Sequence, residues 1–263
     1  MKLFKQLLKY LGYKIFSKNR HGHRIHSPFV YDLIMQVFND REKYEEYAVV
    51  ENIRKLNKSS NEIILIDEAG AGSNYFLTPS RKVSDIVRIS AVNGKFGQLL
   101  FRMIKYYRPD FVIELGTSLG ISTLYLASGN RDGKVVTIES NTNLAERAKK
   151  NFNAVGAKNI EQLTGLFKDI LPEIIKREQG DFLAFIDGHH DEEATLTYFK
   201  ILLQKATENS IFVFDDINWS DGMQNAWRKI KSDQQVTLSI DLFFMGIIFF
   251  KKGIVKQNFI INF

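Results

Sequence analysis

Two short segments of the sequence bring together side chains that can move protons or bind a cation. The first is Asp187-Gly-His-His, in which His189 and His190 follow closely on Asp187, and the second is Asp215-Asp216. A carboxylate or an imidazole can take a proton from a hydroxyl group, so Asp187, His189 and His190 are candidate general bases. Carboxylate oxygens also suit hard divalent cations such as Mg²⁺, so Asp187, Asp215 and Asp216 are candidate metal ligands. The metal stays open, because the same aspartates can cap helices or contact a substrate directly.

A glycine-containing turn offers a different chemistry. The pattern Glu114-x-Gly116-x-x-x-Gly120 follows the apolar run 111–115 and leads directly into a helix-like segment. Glycine allows the backbone to approach a ligand closely, and the start of a helix offers free N–H groups to a negative group. The spacing differs from the dinucleotide pattern G-x-G-x-x-G. The turn also adds three polar candidates for ligand binding, namely Thr117, Ser118 and Ser122.

An acid at the end of the next apolar run strengthens this interpretation. Glu139 closes residues 134–139, where a carboxylate can accept hydrogen bonds from both hydroxyl groups of a ribose. The alternative for Glu139 is an ordinary helix-capping role. A competing glycine segment, residues 67–74, has Pro79 after it and no following strand that ends in an acid. We therefore predict a structural loop there.

The elements that must position these side chains alternate regularly from residue 111 onward. Strands are predicted at 111–115, 134–139, 159–164, 181–187, 210–216, 235–241 and 244–251, with helices between the first six. This alternation predicts an α/β fold with an open, mostly parallel, seven-stranded Rossmann-like sheet and helices on both faces. The last two strands have almost nothing between them, so they must form an antiparallel hairpin. Ligands of such sheets bind beyond the carboxyl ends of the strands.

The motifs together resemble the class I S-adenosylmethionine (SAM)-dependent methyltransferases, in their O-methyltransferase-like form. The resemblance covers residues 96 to 251 and rests on Glu-Leu-Gly-Thr-Ser-Leu-Gly-Ile-Ser-Thr, Phe-Ile-Asp-Gly-His-His and Phe-Asp-Asp-Ile-Asn-Trp-Ser-Asp-Gly-Met. The chain also resembles a little-characterised bacterial group with the same His-Ser-Pro-Phe element near the N-terminus, which implies no particular substrate.

The resemblance implies SAM as the methyl donor, held by the glycine turn and by Glu139, with Asp187 beside it. It also implies an adenine contact after the third strand, at Gly165, Leu166 and Phe167, where the family often has an acid that is missing here. In the catechol O-methyltransferase-like group, an Asp after strand four and an Asp-Asn pair after strand five bind a metal. The equivalent pair here is Asp215-Asp216, so the match to that group is incomplete.

The segment before the sheet differs in character from the rest of the chain. Residues 1–95 are predicted to be a mainly helical extension that caps the substrate side, and residues 96–263 to be the methyltransferase domain. Within the extension, His21, His23, Arg24 and His26 can bind a metal or an anion, although a polar turn before Ser27-Pro28 is the favoured interpretation.

Composition narrows the function classes. The chain has 263 residues, no cysteine and a formal net charge of +6. The missing cysteine excludes disulfides and thiolate metal sites, and no apolar run is long enough to span a bilayer. A cytoplasmic protein is expected. The positive charge is spread along the chain without a dense basic block, so a nucleic-acid partner is not favoured.

The predicted function is SAM-dependent O-methylation of a small-molecule acceptor by in-line methyl transfer. One alternative is a methyltransferase that acts on RNA or protein, and another is a SAM-binding protein without catalysis. The Asn/Asp-Pro-Pro-aromatic motif of amino-group methyltransferases does not follow strand four, which argues against N-methylation of a base. The acceptor's identity and the oligomeric state stay open, a homodimer being one option.

Overall fold

The computed structural model describes residues 2–17, 25–66 and 80–263. The predictions for residues 21–24 and for the loop at 67–74 lie outside these residues. The chain forms two compact units: a terminal unit from residues 1–40 and 181–263, and a central unit from residues 41–180. The predicted domain division after residue 95 stays a prediction. None of the described helices is long and apolar enough to cross a membrane.

The central unit contributes three parallel strands to the larger sheet, in the order β3-β4-β5. All five residues of β3 are buried, as expected for an apolar strand covered on both faces. A separate antiparallel pair, β1 and β2, lies earlier in the chain. The strands are β1 (Ile63–Leu65), β2 (Ser80–Lys82), β3 (Phe111–Leu115), β4 (Lys134–Glu139) and β5 (Ile160–Thr164).

Most helices of the central unit have amphipathic sequences and bury one face. The helices are α3 (Glu45–Lys58), α4 (Val83–Ser90), α5 (Gly94–Tyr107), α6 (Ile121–Gly129), α7 (Thr142–Ala154) and α8 (Phe167–Arg177). In α6, by contrast, residues 121–127 are all buried. Two of these described helices begin with a polar side chain that caps the first turn: Asn93 caps α5, and Asn141 caps α7 by accepting a hydrogen bond from the Leu144 N–H group.

The terminal unit contributes five strands to the larger sheet, in the order β10-β8-β9-β7-β6. Strands β6 and β7 are parallel, whereas β9 runs antiparallel to both β7 and β8. The strands are β6 (Phe182–Ile186), β7 (Ile211–Phe214), β8 (Leu238–Asp241), β9 (Gly246–Phe249) and β10 (Gln257–Ile260). The helices are α1 (Lys2–Phe16), α2 (Pro28–Leu33), which continues into a π-helical turn at Ile34–Phe38, α9 (Glu192–Leu203) and α10 (Asp221–Ser232).

The predicted fold class is confirmed: the sheet is mostly parallel and a hairpin of antiparallel strands lies near the C-terminus. The strand count is corrected, because the described residues form eight strands in the larger sheet instead of seven. The additional strand is β10, which pairs in parallel with β8. Only Phe259 of its four residues is buried, so β10 has no apolar run that sequence reasoning could detect.

Candidate active site

The glycine turn after β3 has the backbone of a ligand-binding loop. Gly116, Ser118 and Gly120 all have positive φ angles, of 105°, 48° and 76°. The N–H groups of Gly116 and Thr117 both donate to the carbonyl of Ile138 in β4, at 3.1 and 3.2 Å. The turn is therefore held to the neighbouring strand at its start, and it is bent by left-handed residues where glycine is favoured.

Helix α6 begins directly after this turn. Gly120 is its N-cap and, among the described residues, no side chain caps the first turn. The first N–H groups of a helix have no partner within the helix, and the helix dipole favours negative charge there. The start of α6, which includes the predicted residue Ser122, can therefore receive an anionic group of a ligand.

Glu139, the last residue of β4, supports the turn with its carboxylate. One oxygen accepts a hydrogen bond from the Ser118 N–H group at 2.8 Å, and the other accepts one from the Asn141 N–H group at 3.0 Å. Burial raises the pKa of Glu139, and these backbone hydrogen bonds oppose the shift. Ser140 adds a backbone and a side-chain hydrogen bond to the same carboxylate, so the predicted contact of Glu139 with ligand hydroxyl groups stays a prediction.

Glu114 lies in the interior, below the turn. Its side chain is fully buried, and its Oε2 atom accepts hydrogen bonds from the hydroxyl groups of Thr123 and Thr137. Its Oε1 atom makes no hydrogen bond of good geometry with any described residue. Burial raises the pKa of Glu114 to about 7, against the opposing effect of the neighbouring hydroxyl groups. Glu114 thus links β3, β4 and α6, and its predicted contact with a cofactor stays a prediction.

Asn141, the N-cap of α7, adds a polar group that the sequence analysis did not predict to bind a ligand. Its Oδ1 atom fulfils that role, but its buried Nδ2 atom finds no acceptor in the described part of the chain. A buried amide without a partner is costly, which makes a missing hydrogen-bonding ligand a natural explanation. Its position two residues after Glu139 is the signal that could have identified it.

The predicted adenine segment follows β5. Gly165 has a φ of 150°, and its N–H group donates to the Glu139 carbonyl at 2.9 Å, which brings this segment to the end of β4. The ring of Phe167 is 5% exposed and belongs to the core, whereas Leu166 is partly exposed. Of the two apolar side chains, Leu166 is the one accessible to a flat base.

The terminal unit gathers the other predicted residues at the ends of β6 and β7. The His190 Nε2 atom lies 3.6 Å from the Asp187 Oδ1 atom, and its Nδ1 atom lies 4.0 Å from the Asp216 Oδ2 atom. Asp215 follows β7, and its N–H group donates to the Ile186 carbonyl at 2.9 Å. Burial raises the pKa of Asp215 well above its ordinary range, and the charges of Asp187 and Asp216 add to the shift.

Backbone strain concentrates in the same cluster. His189, His190 and Asp216 have positive φ angles of 64°, 34° and 53°, although none of them is glycine. Such conformations are unfavourable for residues with a Cβ atom and occur often at functional sites. His189 differs from His190 because its Nδ1 atom is 2.8 Å from the Tyr198 hydroxyl and burial lowers its pKa.

The metal ligands predicted from the sequence are neighbours in space but do not form a ready coordination set. Across the described residues, no group of three or more His, Asp or Glu side chains is arranged to hold a metal ion. The amide of Asn218, the next polar residue along the chain, is engaged with the Phe243 carbonyl and with Gln224. The metal therefore stays a prediction.

Comparisons with known proteins agree with this geometry. A family profile described as a methyltransferase domain matches residues 113–217. The catechol O-methyltransferase of Mycobacterium tuberculosis is 35% identical over 160 residues, which cover 58% of this chain and 69% of that protein. The O-methyltransferase imqG of Aspergillus flavus is 32% identical over 111 residues, and the chain spans only 44% of its length.

Solved structures show the same fold. The O-methyltransferase of Bacillus cereus, determined in complex with S-adenosylhomocysteine (SAH), matches with a TM-score of 0.57 and 19% identity, over 84% of this chain and 97% of that one. TomG of Streptomyces achromogenes, determined in complex with SAM, matches with a TM-score of 0.58 and 20% identity, over 84% and 95%. At these identities the likeness shows the fold alone.

Proposed function

The chain belongs to the SAM-dependent O-methyltransferases, and from this premise we propose how its own residues transfer a methyl group from SAM to an oxygen atom of a small molecule. The cofactor-binding residues are those of the glycine turn and its surroundings in the central unit. The acceptor is handled by the Asp187–His190 cluster of the terminal unit.

The arrangement around Glu139 is the observation that best supports the cofactor assignment. Its buried carboxylate holds the turn through Ser118 and stands at the end of β4, where a carboxylate can accept hydrogen bonds from vicinal ribose hydroxyls. The uncapped start of α6 suits the carboxylate of the methionine part, and the unpartnered Nδ2 atom of Asn141 supplies one further donor. These groups therefore suit the carboxylate and the ribose of SAM.

When bound, SAM supplies a methyl group that is already activated by its positive sulfur. The chain must then align the acceptor, exclude water and receive the hydroxyl proton. In the transfer a bond forms between the acceptor oxygen and the methyl carbon, the carbon–sulfur bond breaks, and SAH leaves. The proton of the acceptor passes to the protein.

Among the three predicted bases, His190 has the best environment. Its ring nitrogens lie 3.6 Å from the Asp187 Oδ1 atom and 4.0 Å from the Asp216 Oδ2 atom, so two carboxylates are close enough to orient the ring. His189 is engaged by Tyr198 and burial disfavours its charged form. We therefore assign the proton-accepting role to His190, with Asp187 as its orienting partner, and a structural role to His189.

A divalent cation is an alternative way to activate the acceptor. Asp187, Asp215 and Asp216 have the oxygen donors that Mg²⁺ prefers, and a bound cation would lower the pKa of an acceptor hydroxyl. A Mg²⁺ titration by calorimetry, with Asp215→Asn as the comparison, tests this route. Heat in the unmodified protein that disappears in the variant would support the metal, and identical traces would remove it.

An assay with methyl-labelled SAM in a cell extract tests the function as a whole. We expect label in the small-molecule fraction in the presence of the purified protein and clearly less label with Glu139→Gln. Label in RNA or protein instead would overturn the acceptor class. An absence of transfer, together with no heat on titration of SAH, would overturn the cofactor assignment. The predictions of a cytoplasmic location and of a substrate-side cap in residues 1–95 stay open in this experiment.

A further inference from the structure

A buried hydrogen-bond network connects helix α3 to the glycine turn inside the central unit. Asn57, in the last turns of α3, is completely buried. Its Nδ2 atom donates to the Ile53 carbonyl at 2.8 Å and to the Asn151 Oδ1 atom at 3.2 Å. Asn151 belongs to α7, so the amide pair joins two helices that are 94 residues apart in the chain.

The network continues from Asn151 to the turn itself. The Nδ2 atom of Asn151 donates to the Leu119 carbonyl at 2.9 Å, directly before the N-cap of α6. The Asn57 Oδ1 atom meanwhile accepts from the Nε and Nη2 atoms of Arg147, at 3.0 and 2.8 Å. The amide of Asn57 is therefore saturated, and its orientation is determined from both sides.

Helix α3 also holds the helix that starts at the turn. The Tyr125 hydroxyl in α6 donates to the Glu51 Oε1 atom of α3 at 2.8 Å. The single N–H group of the Arg54 Nε atom is shared between the two oxygens of the same carboxylate, at 2.9 and 3.1 Å. Helix α3 thus contacts α6 through Glu51 and α7 through Asn57.

A contact that only stabilised the packing of α3 on α7 would not need a buried pair of amide side chains. A buried hydrogen bond contributes only about 0.5 to 1.5 kcal/mol of net stability, and replacing both partners by apolar side chains of the same shape can be nearly neutral. What a saturated buried network adds is one defined geometry. In this case the geometry it defines is that of the backbone just before the start of α6.

We propose that Asn57 is a positioning residue for the cofactor turn, acting through Asn151 on the Leu119 carbonyl. The inference rests on the proposed function, because it assigns the turn to SAM. It extends that function by giving helix α3, which lies outside the sequence motifs of the family, control over cofactor affinity. Loss of Asn57 releases Asn151, the Leu119 carbonyl turns, and the N–H groups at the start of α6 no longer point at one place.

Calorimetric titration of SAH into variants of the full chain tests the proposal. Asn57→Leu and Asn151→Leu should each weaken SAH binding about tenfold, which corresponds to about 1.4 kcal/mol. Because the two residues act in series, the double variant should bind no more weakly than Asn151→Leu alone. Ile53→Ala is the matched control: it removes buried apolar contact from the same helix, so it should lower stability and leave the SAH dissociation constant unchanged.

The outcomes separate this inference from the function on which it rests. If the unmodified protein gives no heat with SAH, the proposed function fails and the inference fails with it. If the unmodified protein binds SAH and both asparagine variants bind equally well, only the positioning role is overturned. An equal loss of affinity in Ile53→Ala would likewise overturn it, because the effect would then follow from stability. Thermal denaturation of each variant confirms that the titrations are done on folded protein.

Discussion

At the scale of single residues, Glu114 and Glu139 show that two acids in one binding region have different tasks. The carboxylate of Glu139 lies at the edge of the turn, where it accepts hydrogen bonds from two backbone N–H groups. The side chain of Glu114 is fully buried and contacts threonine hydroxyl groups. The first is therefore suited to a ligand and the second to holding β3, β4 and α6 together.

Replacement of Glu139 by glutamine should weaken SAH binding by at least about tenfold, because a charged acceptor is lost and hydrogen bonds to charged groups are the stronger ones. Calorimetry measures the change. Glu161→Gln is a suitable control, since Glu161 lies in β5 and its carboxylate pairs with Lys134 and Arg177 at the surface. Equal affinity in the Glu139 variant and the unmodified protein would contradict the ribose role.

Glu114 should make the stability of the protein depend on pH. Its pKa is about 7 in the folded protein and 4.5 in the reference state, so the folded state binds more protons between these values. The contribution of Glu114 to the free energy of unfolding is therefore largest at pH 4.5 and below, and it falls by about 3 kcal/mol at most as the pH rises to 7. Urea denaturation of Glu114→Gln across this range should show a flatter dependence than the unmodified chain. Two parallel curves would show that Glu114 does not titrate in this window.

The two histidines should respond differently to substitution. His190→Asn should lower kcat by about a hundredfold, in the range typical of a lost general base. His189→Asn should change kcat far less, because that ring is assigned to the contact with Tyr198. Steady-state kinetics with saturating SAM and an acceptor identified by the labelling assay provide the comparison. A larger loss of kcat in the His189 variant would instead assign the proton-accepting role to His189.

At the scale of elements, the start of α6 combines a turn with close helix packing. Gly120 has a φ of 76°, and a Cβ atom placed on it would lie within 3 Å of two ring carbons of Phe152 in α7. Glycine is therefore required twice, for the backbone conformation and for the approach of the two helices.

Gly120→Ala should consequently destabilise the protein by more than backbone strain alone, by about 2 to 4 kcal/mol. Gly156→Ala is the matched control, because Gly156 also has a positive φ of 65° but a Cβ atom placed on it would meet nothing within 4 Å, which leaves only the strain of about 1 to 2 kcal/mol. Chemical denaturation gives both values. Equal losses in the two variants would mean that α7 moves to accommodate the extra carbon.

At the scale of the whole molecule, the net charge of +6 raises the question of a nucleic-acid acceptor. Many of the basic groups are already paired with acids, as Arg177 is with Glu161 and Glu178, and Arg147 is with Glu62. Paired charges release few counterions from a phosphate backbone, so they contribute little to binding.

Binding to RNA should therefore be weak, with a dissociation constant above about 1 µM, and it should vanish between about 50 and 200 mM salt. Filter binding with a mixed-sequence RNA at both salt concentrations measures this. Nanomolar affinity with a steep salt dependence would favour an RNA acceptor over a small molecule. Weak binding leaves the small-molecule assignment in place.

The sequence by itself determined the features that depend on neighbouring residues. Strand and helix periods, the glycine turn at 116–120 and the acids after β4, β6 and β7 are local patterns, and they predicted the fold class and the candidate site. The sequence did not reveal β10, because a strand with one buried residue shows no alternation of apolar and polar residues. It also left the three candidate bases equivalent.

Only the tertiary structure decided which of these side chains have partners. It enclosed Glu114, linked His189 to Tyr198 and placed His190 between two aspartates. It likewise brought Asn57 to Asn151 and, through Asn151, to the glycine turn. The physical reason is that burial and hydrogen bonding depend on atoms distant along the chain, and a residue type at a given spacing does not specify which distant group will face it.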